Sequence, residues 1–524
     1  MPVLRAEVPV SASRCERLLV RSPAMVHDLA AAGDGVRRVR LALWLATPFF
    51  TGAIIMAQEL VAFRLYAPYF GYSIYVWASM ISVVMAALAV GYALGGWVAD
   101  RSQSDAPLYV MVLASAVYQL GVLFTVRSLL GYLAHLGDFT GVTLASALIF
   151  AVPMTAMATA CPFLIRLLAH SGRVGSAAGK VYAISTIGGI AGILATAFFL
   201  VPRLGTQKTL AVICVMSALV AAAGLARRVP LALFALGLTV VTVCFLPKPT
   251  WPEGTLWVAD SPYNLVRVVR SGDWTILKLN NETGVQTIRD ERTGWTGHYY
   301  DDFALGPLLI PARRLLVLGL GGGGSVAATR FTGPDIAIDA VEIDPKVVEA
   351  ARRFFGLNPN DKLRIHIADA RPWLARSQEK YDLVHVDLYH GGPYIPFYLI
   401  TVEFFEAVRA HMSPESLLMM NLFDISPGRE LLVRTIVTLK RVFPTVMALS
   451  VGHGNRMLLA FSKHTSEDAI RERLQNVRET EAIERLAEHA STHIVDYNIP
   501  PETTAFTDDF APVEEITRRM LKRD

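Results

Sequence analysis

The sequence predicts a multi-pass α-helical membrane domain, then a small β subdomain, then an α/β domain of Rossmann type. Three observations carry this: successive apolar runs between Leu41 and Leu246, a glycine cluster set between two strand-like runs at 315–344, and regular alternation of helix and strand patterns beyond it. At 524 residues the chain has room for two or three domains. With 53% hydrophobic residues, 18% charged residues and a mean hydropathy of +0.40, it is too apolar for an ordinary soluble enzyme. The formal charge of +4 is small for this length, so no nucleic-acid partner is expected. The cysteines, Cys15, Cys161, Cys214 and Cys244, form neither a disulfide framework nor a Cys/His metal spacing, and no metal is expected.

Taken in order, residues 1–40 lack an apolar core followed by a cleavage-like site and read as a disordered N-terminal arm rather than a signal peptide. Residues 41–248 read as a transmembrane domain of about seven helices, near 43–63, 74–98, 107–131, 141–165, 181–201, 208–226 and 229–247, since a span needs about 20 mainly apolar residues. Gly91 with Gly95, and Gly188 with Gly192, have the spacing that lets helices approach closely in lipid. Pro153 and Pro162 are expected to kink the fourth span. Glu59, inside the first span, reads either as an interfacial carboxylate paired with Arg64 or a neighbouring helix, or as part of a substrate passage.

Alternate loops place Arg37, Arg38, Arg40, Arg101, Arg166, Arg173, Lys180, Arg227 and Arg228 on one side, and Arg64, Arg127, Arg203 and Lys208 on the other. That excess favours a cytoplasmic N-terminus, and seven spans would then put the C-terminal half outside. A cytosolic nucleotide ligand argues the reverse. The expectation adopted is a multi-pass cell (inner) membrane protein with a cytoplasmic catalytic domain, which requires a re-entrant or miscounted span or a misleading charge bias.

Three prolines in Pro247-Lys248-Pro249-Thr250-Trp251-Pro252 mark a stiff linker. Residues 249–300 form the β subdomain, with strands at Leu265–Val269 and Thr275–Leu279 and turn signals at Asn280-Asn281 and Thr283-Gly284. Residues 301–465 form the Rossmann-like domain, and 466–524 a helical tail. In the former, the run Leu315–Leu318 leads into Gly319, Gly321, Gly322, Gly323 and Gly324, then a helical stretch, then a second strand ending at Glu342. Glycine allows positive φ and close approach to a ligand, and an acid about 20 residues on suits a ribose diol. The alternation continues with helix Pro345–Phe355, strands Leu363–Ile367 and Tyr381–Val386, helix Phe404–His411, strand Leu417–Asn421, helix Arg429–Val442 and strands Val446–Ser450 and Met457–Phe461. It predicts a parallel sheet with ligand at its carboxyl edge, where Gly319, Glu342, Asp369, Asp387 and Asn421 fall. Glu342 is placed for the ribose, Asp369 for an exocyclic adenine amine and Asp387 for the reacting group. Each has a plainer alternative as a solvated loop acid.

The stretch 255–465 resembles the polyamine aminopropyltransferase (spermidine synthase) family, which shares the class I methyltransferase fold, and more closely its membrane-fused members. The residues that carry the resemblance are Ser261-Pro262-Tyr263-Asn264, Gly284-Val285-Gln286, Tyr299-Tyr300-Asp301-Asp302, the glycine loop, Val341-Glu342-Ile343-Asp344, Ala368-Asp369-Ala370 and Tyr381–Asp387. The tail Thr507–Val513 and Gly96–Arg101 also look like the fused proteins. The resemblance implies transfer of an aminopropyl group from decarboxylated S-adenosylmethionine to a small amine or polyamine. It makes Asp387 the proton acceptor, assisted by Tyr300, and it puts Gly319, Gly321, Gly323, Glu342, Asp369, Ala370, Gln286 and Asn264 around the adenosyl ligand.

Two departures stand out. The family's glycine-loop aspartate falls at Gly322, and the second acid after Asp387 is replaced by His390, which reads as a substitute base or as a surface histidine. A methyltransferase using ordinary S-adenosylmethionine, and a transporter or sensor with a non-catalytic nucleoside- or polyamine-binding domain, stay open. The implied partners are the lipid bilayer and the amine, with a homodimer as the assembly to test.

Overall fold

In the computed structural model, residues 34–521 are described apart from 72, 170–173, 248–250, 281–283, 361, 453 and 498. The N-terminal arm up to residue 33, Arg173, Lys248–Thr250 of the linker, and Asn281 and Thr283 of the predicted turn lie outside the described residues. The helical half comprises α1 (Asp34–Phe70), α2 (Ile74–Arg101), α3 (Ala106–Leu133), α4 (Asp138–Ser146), α5 (Val152–Ala158), α6 (Ala160–Leu168), α7 (Val174–Ala195), α8 (Val201–Gly224) and α9 (Val229–Cys244).

Among the described residues, five helical runs are long and apolar enough to cross a membrane. The fifth, Val174–Gly224, contains two predicted spans and breaks at Gly205, whose φ of 78° and ψ of 172° no helix accommodates. The seventh predicted span forms only α9, whose 16 residues measure about 24 Å at 1.5 Å per residue, short of a ~30 Å hydrocarbon core. The fourth is interrupted as its prolines imply: a π-turn at Ala147–Ala151 precedes Pro153, and the chain turns at Thr159 before Pro162.

The small-residue pairs sit where helices touch. A side chain at Gly91 or Gly95 would strike the backbone at Thr155 and Thr159, and one at Gly188 or Gly192 would strike that of Phe49 and Ala53 in α1. Glu59 is half-buried, and the expected pairing with Arg64 does not form. Arg64 instead bonds Asp260 and the carbonyls of Ser261 and Pro262 beyond the linker.

The β subdomain is an antiparallel sheet, β1 (Thr255–Asp260), β2 (Leu265–Ser271), β3 (Trp274–Leu279) and β4 (Val285–Asp290), paired in that order. The larger domain follows with α10 (Leu305–Leu309), β5 (Arg314–Leu318), α11 (Gly324–Thr332), β6 (Ala337–Glu342), α12 (Pro345–Phe354), β7 (Leu363–Ile367), α13 (Ala370–Leu374) and β8 (Tyr381–Val386). It continues through α14 (Val402–Ala410), β9 (Met412–Phe423), α15 (Glu430–Lys440), β10 (Thr445–Ser450), β11 (Asn455–Phe461), α16 (Glu467–Gln475), α17 (Glu481–His493), β12 (Ile494–Val495) and α18 (Val513–Leu521).

The strand order is β12-β10-β11-β9-β8-β5-β6-β7. Strands β9, β8, β5, β6 and β7 run parallel, but β11 is antiparallel to both β9 and β10, so the sheet is mixed rather than parallel throughout. The tail is not purely helical either, since β12 adds an edge strand. This is a class I methyltransferase-like α/β fold.

The continuous apolar strands are explained by cover on both faces. Leu315, Val317 and Leu383 pack with α11, α16 and α17 on one side, while Leu316, Leu318 and Val384 pack with α14, α15 and α18 on the other. The small sheet packs Val266, Val268 and Leu277 on Val347 and Ala350 of α12, which brings β4 against the glycine loop.

Candidate active site

Five neighbouring strands deliver the polar residues to one edge: Gly319 after β5, Glu342 at the end of β6, Asp369 after β7, Asp387 after β8 and Asn421 near the end of β9. The glycine loop lies directly on β8. Gly319 has φ of 86°, and a side chain there would collide with the Asp387 carbonyl. Ten of the eleven sequence-predicted site residues, Asn264, Gln286, Tyr300, Gly319, Gly321, Glu342, Asp369, Ala370, Asp387 and His390, line a single cavity. Gly323 does not. At the start of α11, with φ of 86°, it faces Leu357, which an added Cβ would approach to 2.7 Å. It packs on Leu357.

Glu342 is fixed by the loop it faces. One carboxylate oxygen accepts from the N–H groups of Leu320 and Gly321, both at 3.2 Å, and the other from that of Asp344 at 3.0 Å. Burial raises its pKa to about 7 against the opposing pull of those three donors. Asp369 is engaged as the cap of α13: it accepts from the Arg371 N–H at 3.0 Å and from the Tyr398 hydroxyl at 3.0 Å. Asn264 lines the cavity, and its amide also bonds behind it. It donates to Asp344 at 2.9 Å and accepts from Asn280 at 2.8 Å, so it also supports the β6–α12 turn.

Asp387 holds the centre. Its Oδ1 accepts from the Asn421 amide at 3.1 Å and its Oδ2 from the Tyr299 hydroxyl at 3.0 Å. Burial pushes its pKa up to about 7, with those two donors opposing. Tyr300, predicted to assist, lines the cavity, yet the hydroxyl that reaches the acid is that of its neighbour Tyr299, ring to ring at 4.0 Å. Burial first, then the Asp387 charge, holds both phenols well above their ordinary pKa, so they act as donors. Nothing in the pair Tyr299-Tyr300 says which one reaches Asp387; the 3₁₀ turn at Asp301–Ala304 decides it. Asn421 was legible as a strand-end residue, but its bond to Asp387 depends on β9 lying beside β8.

His390 lines the same cavity, and burial lowers its pKa, with Asp344 opposing and Arg64 adding to the fall. Gly322 has no room for an acid: its N–H donates to Thr287 Oγ1 at 2.8 Å, and a Cβ would lie 2.9 Å from the Thr287 side chain. A second cavity of about 380 Å³ adjoins the first. Gln286, Tyr300 and Tyr389 line both, while Tyr299 and Asn421, the partners of Asp387, line the second, and His390 is not among its lining residues. Among the described residues, no group of three or more His, Cys, Asp or Glu side chains is placed to hold a metal.

A glycine turn, a buried acid at the end of β6 and another just after β8, beside two adjoining cavities, are what a group transferase with an adenosyl co-substrate would need. Comparison with known proteins agrees. The Spermine/spermidine synthase domain matches residues 306–452. A probable polyamine aminopropyl transferase of Bifidobacterium longum is 32% identical over 295 residues, covering 52% of this chain and 66% of that protein. The polyamine aminopropyltransferase of Vibrio vulnificus is 30% identical over 208 residues, 38% of this chain and 68% of that one. Polyamine aminopropyltransferase 1 of Streptomyces coelicolor is 24% identical over 423 residues, 74% and 77% of the two chains, a length that must run into the helical half. The chain spans about two thirds of the first two relatives. It belongs to the polyamine aminopropyltransferase (spermidine synthase) family, and it is a transferase. That family uses decarboxylated S-adenosylmethionine as the aminopropyl donor.

Proposed function

We propose that this protein is a membrane-embedded aminopropyltransferase that takes decarboxylated S-adenosylmethionine as donor and a small amine as acceptor. The observation that carries the choice of donor is the charge of the adenosyl cavity. Glu342, Asp369 and Asp387 line it, and no lysine or arginine is among its described lining residues. The decarboxylated donor bears a sulfonium and an ammonium. Ordinary S-adenosylmethionine adds a carboxylate that would meet Asp387 without a cation, and burying an unpaired charge beside a like charge is costly.

The chemistry then needs one proton moved. An amine titrating near pH 10 must lose its proton before its nitrogen attacks the carbon next to the sulfonium. Asp387, with a pKa of about 7 and held by Tyr299 and Asn421, takes that proton first; the freed lone pair then forms the C–N bond as the C–S electrons pass to sulfur and methylthioadenosine leaves. Calorimetry on the purified protein is expected to give at least about tenfold tighter binding of the decarboxylated than of the carboxylated donor, the scale of one unpaired ionic group. Tighter binding of S-adenosylmethionine would overturn the choice and favour methyl transfer.

The apolar helices support a membrane location, and we place the catalytic domain on the cytoplasmic side, where the donor is made. The charge bias opposes this. Arg40, Arg101, Arg166, Arg227 and Arg228 lie at the helix ends away from the catalytic domain, whereas Arg64 and Arg127 face it, Arg64 on Asp260 and Arg127 over Trp251. Alkaline phosphatase fused after Asp524 is expected to be inactive in whole cells; an active fusion would move the catalytic domain outside.

A further inference from the structure

The second cavity is built for something less polar than a diamine. Val285, Ile288, Tyr299, Tyr389, Phe423 and Leu521 form its apolar and aromatic wall, and Gln286, His298, Asn421 and Asn455 are its other polar members. Among its described lining residues there is no aspartate or glutamate. Among the described residues, the carboxylate bonded to its lining side chains is Asp387, behind Tyr299 and Asn421, which suffices for one amine. The nearest acid along β9, Asp424, is consumed: it accepts from the N–H and hydroxyl of Ser426 and from the N–H of Leu432.

The rim of this cavity is tied to the helical half. Leu521 ends α18, whose Glu514 and Glu515 accept from the Ile74 N–H and the Tyr75 hydroxyl, both at 2.7 Å, at the start of α2. Gly392 and Pro393 belong to the loop whose Tyr394 faces Gly71, between α1 and α2. An apolar substrate body therefore meets the cavity from the side of the apolar helices.

Resting on the aminopropyl-transfer reading above, we propose that the acceptor is a lipophilic primary monoamine, with a single cationic nitrogen beside Asp387 and an apolar chain in the second cavity, rather than an α,ω-diamine. The released proton goes to Asp387, the nitrogen lone pair then forms the new C–N bond, and the C–S bond electrons pass to sulfur. A second ammonium on the chain of a diamine would lie beside Phe423 and Ile288 with no counter-charge among the described lining residues, which is unfavourable. The tyrosine faces accept one cation well, but do not replace a carboxylate for a second.

The test uses the full-length protein in detergent micelles with saturating decarboxylated S-adenosylmethionine, and compares n-octylamine with 1,8-diaminooctane, which differ only in the distal ammonium. Initial rates of methylthioadenosine release, with the product mass confirmed, give kcat/KM for each. The expected preference for the monoamine is on the order of 10²-fold, and at least about tenfold. A smaller ratio or a preference for the diamine would overturn this inference while leaving aminopropyl transfer intact. No methylthioadenosine with either amine or with 1,4-diaminobutane would overturn the transfer reading and this inference with it. Leu521→Glu supplies a carboxylate at the exposed rim, and it is expected to shift the ratio toward the diamine by about tenfold; an unchanged ratio contradicts the placement of the distal end.

Discussion

Asp387→Asn is expected to lower the single-turnover rate of aminopropyl transfer by about 10²–10⁴-fold, the usual loss on removing a general base, while affinity for methylthioadenosine, which is uncharged, stays within about threefold, well below the effect of one lost charged hydrogen bond. The variant should fold, because its surroundings accept an amide. The new carbonyl oxygen still accepts from Tyr299, and the Asn421 Oδ1, which makes no hydrogen bond, becomes an acceptor for the new N–H₂ once its amide turns over. The pH profile adds a check that a structural role would not reproduce. With a pKa of about 7 raised by burial, Asp387 is protonated below neutrality and cannot take a proton, so the wild-type rate should fall as pH drops below about 7. The variant should lose that limb. A rate within about threefold of wild type, far outside the general-base range, would remove Asp387 from the chemistry.

Glu342→Ala should strike binding instead. Two charge-assisted hydrogen bonds to a ribose diol, each worth about 1.5–3 kcal/mol, correspond to a loss of roughly 10²–10⁴-fold in affinity. The sign of the accompanying pH effect follows from the raised pKa. The ribose hydroxyls donate to the carboxylate, so binding favours the deprotonated form and releases a proton. Below about pH 7 wild-type affinity should therefore weaken by up to tenfold per pH unit, and level off above it. The alanine variant should be flat across that window. Calorimetry on a variant shown to be folded by circular dichroism measures both; unchanged affinity would take Glu342 out of the site.

Much of the catalytic half is legible in the chain because its strands are buried on both faces and bounded by glycine, proline or a charge. Leu363–Ile367 and Tyr381–Val386 begin and end at their predicted residues. Direction is harder to read than position. Strands β10 and β11 look like any apolar strands, yet only four residues, 451–454, connect them, too few for the crossover that parallel neighbours require. That short connection, with Gly452 and Gly454 at positive φ, is the available signal for the antiparallel pair. Strand β12 has two residues and no periodicity at all.

In the site, single acids at strand ends were readable because the fold places them. Contacts that depend on a turn or on the next strand, Tyr299 and Asn421 on Asp387, were not. Gly323 and Asn264 show how motif positions acquire structural contacts as well. Both sit in motif positions, but one is held by Leu357 and the other by Asp344 and Asn280. Arg64 illustrates the limit of reading spans one at a time, since its partner Asp260 lies 196 residues away.

The central claim is that an amine displaces methylthioadenosine across the Asp387 carboxylate, and the nucleoside product tests it most directly. Purified full-length protein is incubated in parallel with decarboxylated S-adenosylmethionine and with S-adenosylmethionine, each with a set of primary amines, and the nucleosides are identified by mass. Methylthioadenosine from the decarboxylated donor, in amounts equal to an acceptor heavier by one aminopropyl group, is the predicted result. S-adenosylhomocysteine from the carboxylated donor, without methylthioadenosine from the other, would contradict it.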